Sequence, residues 1–241
     1  MKPSIENRGM QRESVSRLGG VCSGLMGISY LLVGIVYFLQ PSAQRTSIAS
    51  TDENLLRFYL SMAQNPAAHT ILHALLALIS LLAFAAVPAI STMARSRHAA
   101  WQQWVTKLAY LGFASFAMYN FRALHAEYAH AKAIAAADPV NQLVLLTSAK
   151  LIPTDWYGFL SYGCVGLWII ATSVSGLTSG AFPRLLAYVG VGFAVMYWLL
   201  VCGYLFQTTE LAAIANGLGA MLLGPVWLIW IGMRLARGSR A

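Results

Sequence analysis

Apolar residues gather in this chain into six long runs, at positions 18–40, 69–93, 105–121, 157–177, 185–207 and 211–233. Most are close to the about 20 residues that a helix rising about 1.5 Å per residue needs to cross about 30 Å of hydrocarbon. The pattern predicts an all-α, polytopic membrane bundle of six transmembrane helices, built as one domain over residues 1–241. Residues 1–17 form a polar N-terminal tail, and residues 41–68 and 122–156 form loops at the other face.

Those two loops carry helical patterns of their own. Ser50-Thr51-Asp52-Glu53 reads as a capping box, and Leu55, Tyr59 and Met62 follow on one stripe. This predicts a short helix lying flat at the outer interface. Asn65-Pro66 then opens the second span. Residues 122–137 are rich in Ala and free of Gly and Pro, so the third span is expected to continue outward. Asp138-Pro139 starts another short helix, and Pro153 with Thr154 or Asp155 sets up the fourth span.

Charge gives the bundle a direction. Lys2, Arg8, Arg12, Arg17, Arg95, Arg97, Lys107, Arg184, Arg234, Arg237 and Arg240 fall on one face, with only Glu6 and Glu13 among the acids. Arg45, Arg57, Arg122, Lys132 and Lys150 fall on the other, beside Asp52, Glu53, Glu127, Asp138, Asp155 and Glu210. Lys and Arg collect in cytoplasmic loops, so both termini are expected in the cytoplasm of a cell with an inner membrane. The net charge of +8 is therefore a topology signal. A chain that is 58% hydrophobic leaves no basic soluble domain for nucleic acid.

The first run exceeds the apolar core of a signal peptide, and no A-x-A site follows it. Cys22, Cys164 and Cys202 all lie inside spans, which gives no disulfide framework. Small residues recur at four-residue spacing: Gly20 and Gly24, Ala213 and Gly217, Ala220 and Gly224. They allow close helix packing, within the bundle or against a partner. Pro225 is expected to kink the last span.

The run Gly217-Leu218-Gly219, followed by Gly224-Pro225-Val226-Trp227-Leu228-Ile229-Trp230-Ile231-Gly232-Met233-Arg234-Leu235, resembles the last helix of a bacterial family of six-span membrane proteins of unknown function. The resemblance covers about twenty residues and implies only a six-helix bundle, with no activity attached; the expected location is the bacterial cytoplasmic (inner) membrane.

Histidine is the one chemical oddity. His98 lies in a basic loop, but His69, His73, His125 and His130 crowd the outer ends of the second and third spans. His69 and His73 are i,i+4, about 40° apart on one face, so both imidazoles can reach one ligand. Five residues turn a helix by roughly 140°, so the third span can aim either His125 or the Glu127/His130 pair at them, not all three. Asp155 and Glu210 begin later spans at the same level. His69, His73, His125 and Asp155 form a candidate metal set, with Glu127 and His130 as alternatives. A haem held axially by His73 and His125 is a second possibility. Between this outer cluster and the cytoplasmic rim, where Lys107 can snorkel, no span carries an Asp, Glu, His or Arg, which argues against a proton relay or ion-coupled pump.

The functional expectation is a non-catalytic membrane subunit or accessory protein, packed against other membrane subunits or its own copies and against lipid. The alternatives are a metal- or haem-binding protein with an outward-facing His site, and a carrier for a lipid or other uncharged molecule.

Overall fold

Among the described residues every element is helical: α1 (Ile5–Leu39), α2 (Asp52–Gln64), α3 (Ala67–Met93), α4 (Ala99–Arg122), α5 (Tyr128–Ala136), α6 (Pro139–Lys150), α7 (Val165–Thr178), α8 (Arg184–Leu205), α9 (Thr209–Asn216) and α10 (Gly224–Ala236). The computed structural model describes residues 5–45, 52–94, 99–150, 155 and 158–237. Lys2, Ser50, Thr51, Arg95, Arg97, His98, Pro153, Thr154, Trp156 and Arg240 lie outside the described residues, as do the side chains of Glu6, Arg8, Arg12, Glu13 and Lys150.

Five helical stretches are long and apolar enough to cross a membrane: Ser14–Leu39, Ala67–Met93, Phe159–Thr178, Arg184–Leu205 and Thr209–Ala236. The third predicted span is α4. It has the length, at 24 residues, but Gln102, Gln103, Thr106, Lys107 and Asn120 dilute its apolar content. It nevertheless stands in the bundle between α3 and α7.

The long helices alternate in direction and close into a ring. At one end Thr106 of α4 donates to Ser91 of α3 at 3.0 Å, and Gln102 donates to Thr172 of α7 at 3.2 Å. Ser23 of α1 donates to the Leu228 carbonyl of α10 at 2.8 Å. Arg234 donates to Ala181, just before α8, at 3.2 Å. These antiparallel contacts gather Arg17, Lys107, Arg184, Arg234 and Arg237 at one end, as the charge pattern requires.

Closure depends on small residues. A Cβ on Gly232 of α10 would lie 2.7 Å from both the Gly20 carbonyl and the Gly24 amide of α1. A Cβ on Gly20 would likewise lie 2.7 Å from the Ala236 amide, so Gly20 and Gly232 let the α1 and α10 backbones meet at a distance that no larger residue at either position allows, whereas a Cβ on Gly24 would meet open space. Trp168 and Trp227 fill the core edge to face, with ring centroids 5.9 Å apart, and Trp168 donates to Ser91 at 2.9 Å. Pro225 disrupts the last helix through a π-turn at Gly217–Leu223, one of three such turns among the described residues. Proline clashes with the carbonyl four residues back, and a π-turn relieves that conflict.

The end opposite the arginines carries a cap made of α2, α5 and α6. Here the structure departs from the sequence expectation. Tyr59 and Met62 of α2 do not face lipid; they pack on Ala131 and Ile134 of α5 and Leu146 of α6 as a small second core. The stripe is covered because the α4 helix continues outward far enough to meet it. Helix α6 instead exposes Val140, Leu143 and Val144 on one side.

Candidate metal centre

The candidate site lies where the start of α3 meets the outward extension of α4. His69 and His73, in the first two turns of α3, have ring centroids 4.3 Å apart. Their i,i+4 spacing places them on one face, and that face is buried, with 5% and 7% exposure. Opposite them, α4 passes through a π-turn at Ala123–Glu127 before continuing as α5. A π-turn holds more residues per turn than an α-helix, so it re-phases every side chain beyond it. The phase that results aims Glu127 at His69.

His69 Nε2 lies 3.0 Å from Glu127 Oε2. The two atoms are at ion-pair distance, off the line of an ideal hydrogen bond, so Glu127 is the buried Nε2's partner. An imidazole nitrogen and a carboxylate oxygen at this separation pair with each other and are also the two donor types that ligate a transition metal. One ligand atom each from His69, His73 and Glu127 lies within 4.8 Å of the others. Ligands bound to a metal at 2.0–2.2 Å stand roughly 3.3 Å apart in a tetrahedron, so modest side-chain rotation closes the set.

Asn120, fully buried in α4, fixes the chemistry of His73. Its Nδ2 donates to the Phe116 carbonyl at 2.7 Å, so its Oδ1 must be the atom facing His73 Nδ1, 2.8 Å away. A carbonyl oxygen only accepts, so Nδ1 carries the proton and Nε2 of the neutral ring keeps the lone pair. This is how metal-binding histidines are held: one ring nitrogen bonded to an acceptor, the other free to ligate.

Glu127 is in the correct state for such a site. Burial works to raise its pKa, but the contact with His69, the neighbouring His73 ring and the Arg122 guanidinium outweigh it and hold the carboxyl below its ordinary range. Phe58 of α2 closes the top, its ring edge-on to His69 at 5.7 Å.

The structure does not bring the other predicted residues to this point. His125 lies in the same π-turn but is exposed, so neither the His69/His73/His125 set nor the His73–His125 axial haem pair forms. Asp155 spends its carboxylate on backbone amides, accepting from Ser161 at 2.7 Å and Leu160 at 3.2 Å at the start of the π-turn Phe159–Cys164. His130 donates through Nε2 to the Leu145 carbonyl at 2.9 Å, which ties α5 to α6. Glu210 is exposed at the start of α9, and the charge of Arg122 is felt by Glu127 and Tyr59. Asn120 is the residue that sequence reasoning did not assign. Its signal was a carboxamide in an otherwise apolar stretch, level with an i,i+4 histidine pair on the adjacent span.

No protein-family model matches the chain, and neither a curated protein nor a solved structure is significantly similar to it. The site is therefore read from its own chemistry.

Proposed function

We propose that this is a six-span protein of the bacterial inner membrane, with both termini cytoplasmic, that holds a divalent first-row transition-metal ion near its outer face. The observation carrying the proposal is the convergence of His69, His73 and Glu127 donor atoms within 4.8 Å in a largely buried place. Two imidazoles and one carboxylate form a borderline donor set, suited to zinc or iron(II) and poor for calcium or magnesium, which take oxygen ligands. Three protein ligands leave coordination positions open, the arrangement of reactive rather than purely structural sites.

The test is the metal content of protein purified from membranes without chelator. About one equivalent of zinc or iron is expected, lost in His69→Ala and kept in His125→Ala. A metal-free parent protein that also takes up no added zinc or iron(II) rules the reading out.

A second role, as a subunit packed against other membrane proteins, is favoured by Ala213 and Gly217. These small residues at four-residue spacing are left open on the bundle surface, with no atom within 4 Å of a Cβ added at Gly217. Crosslinking from cysteines placed at these two positions tests it; a product formed there and not at Ala220 is expected, and no product at either position counts against it.

A further inference from the structure

The triad is built from α3 and the outward continuation of α4, but the ring that closes it comes from α2. Phe58 lies edge-on to His69, with ring centroids 5.7 Å apart, and α2 contributes none of the three ligands. With this cover in place the side chains of His69 and Glu127 expose 7% and 15% of their surface. A metal site needs an entry path, and donor atoms this buried offer none to a hydrated ion while α2 lies shut.

The attachment of α2 is that of a hinged part. Only Asn65 and Pro66 separate its last residue, Gln64, from Ala67, the first of α3, and His69 follows two residues later. A pivot there would carry Phe58 away from His69 while α3 stays in the bundle. Gln44, in the 3-10 turn at Ser42–Gln44, clamps this pivot by donating to the Asn65 carbonyl at 3.1 Å and to Ser61 at 3.2 Å. Along its length α2 is latched by the small second core, Tyr59 and Met62 against Ala131, Ile134 and Leu146. That core shares no buried residue with the core of the bundle, where Met26, Ile79, Trp168 and Trp227 lie. Parts held by few buried apolar residues open locally, at a lower cost than global unfolding.

We propose that α2 is the gate of the metal site: the ion enters and leaves when α2 lifts off α5 and α6 about Asn65–Pro66, and Phe58 closes the entrance behind it. This rests on the metal reading above. A gate separates rate from affinity. All three ligands stay on α3 and the α4 continuation when α2 lifts. Loosening the latch therefore raises the population of the open form, and with it the rates of uptake and loss together, while the equilibrium affinity holds.

The experiment loads the full chain with cobalt(II) in a maltoside detergent and follows the loss of its visible spectrum to excess chelator. Met62→Ala empties the centre of the latch and should release cobalt(II) about tenfold faster or more, the effect of truncating a fully buried methionine on a local opening equilibrium. Phe58→Ala removes the cover itself and should also release the ion faster. Both should keep a dissociation constant within a few-fold of the parent. Met26→Ala makes the same deletion in the bundle core and should release cobalt(II) at the parent rate, which separates an opening cap from general loosening. Release at the parent rate in either Met62→Ala or Phe58→Ala, or equal acceleration in Met26→Ala, overturns the gate and leaves the metal reading standing. Faster release with a matching loss of affinity makes α2 a support of the site and overturns the gate as well. If the parent protein binds no cobalt(II), the metal reading falls and the gate with it.

Discussion

Asn120 and His73 face each other across α3 and α4, 2.8 Å apart, and the second bond of the Asn120 amide, to Phe116, decides which atom His73 sees. The consequence is that Nδ1 of His73 is committed to Asn120, and Nε2 is the nitrogen that keeps a lone pair for a ligand. Asn120→Leu removes the acceptor and leaves the ring free to rotate or change tautomer. Metal affinity should fall by about 10–100-fold, the usual cost of losing the group that orients a metal-binding histidine. Asn120→Asp, which keeps an oxygen at the same place, should retain most of it. Competitive titration with a chromophoric chelator measures both; equal affinity in the parent and Asn120→Leu would remove Asn120 from the account.

The cap has its own pH limit. Burial raises the Tyr59 phenol to about 12 from its ordinary 10.0, helped by Glu127 and opposed by Arg122. The folded cap thus favours the neutral phenol. Its contribution is complete below pH 10 and is lost as pH rises toward 12. Phenolate absorbance in the difference between the parent and Tyr59→Phe should titrate well above pH 10. A transition at the ordinary tyrosine value would show that Tyr59 is not packed against α5.

Two glycines at the α1–α10 contact, Gly232 of α10 and Gly24 of α1, separate close packing from mere smallness. Gly232→Val drives a side chain into the Gly20 carbonyl and the Gly24 amide, which it would approach to 2.7 Å. Overpacking of this kind costs about 1–3 kcal/mol, read as a lower melting temperature in detergent. Gly24→Ala meets nothing within 4 Å of its new Cβ and should be neutral or slightly stabilising. Equal effects of the two changes would contradict the α1–α10 contact.

Topology follows from the arginine-rich end. A phosphatase fused after Ala241, active only outside the cytoplasm, should be silent, and the same reporter inserted after Asn141 should be active. The reverse pattern would invert the molecule and put the triad on the cytoplasmic side.

Much of the fold was legible because it rests on composition over twenty-residue windows. Five of the six apolar runs reappear as helical stretches both long and apolar enough to cross a membrane, and the amphipathic stripe of α2 is real. What covers that stripe was not legible, because burial by α5 and α6 depends on how far α4 extends beyond the membrane. The same limit applies to the site. The His69/His73 pairing is visible in an i,i+4 spacing, whereas the choice of Glu127 over His125 is made by the π-turn at Ala123–Glu127, which leaves no mark in Ala-Leu-His-Ala-Glu. Asp155 had the right residue type and level, but a carboxylate near a helix start is claimed first by backbone amides.

X-ray absorption on the zinc- or iron-loaded protein tests the central claim most directly. It should show two imidazole nitrogens and carboxylate oxygen at about 2.0–2.2 Å, with one imidazole lost in His73→Ala and the oxygen shell altered in Glu127→Gln. A first shell without imidazole, or one changed by His125→Ala and indifferent to His73→Ala, would contradict it.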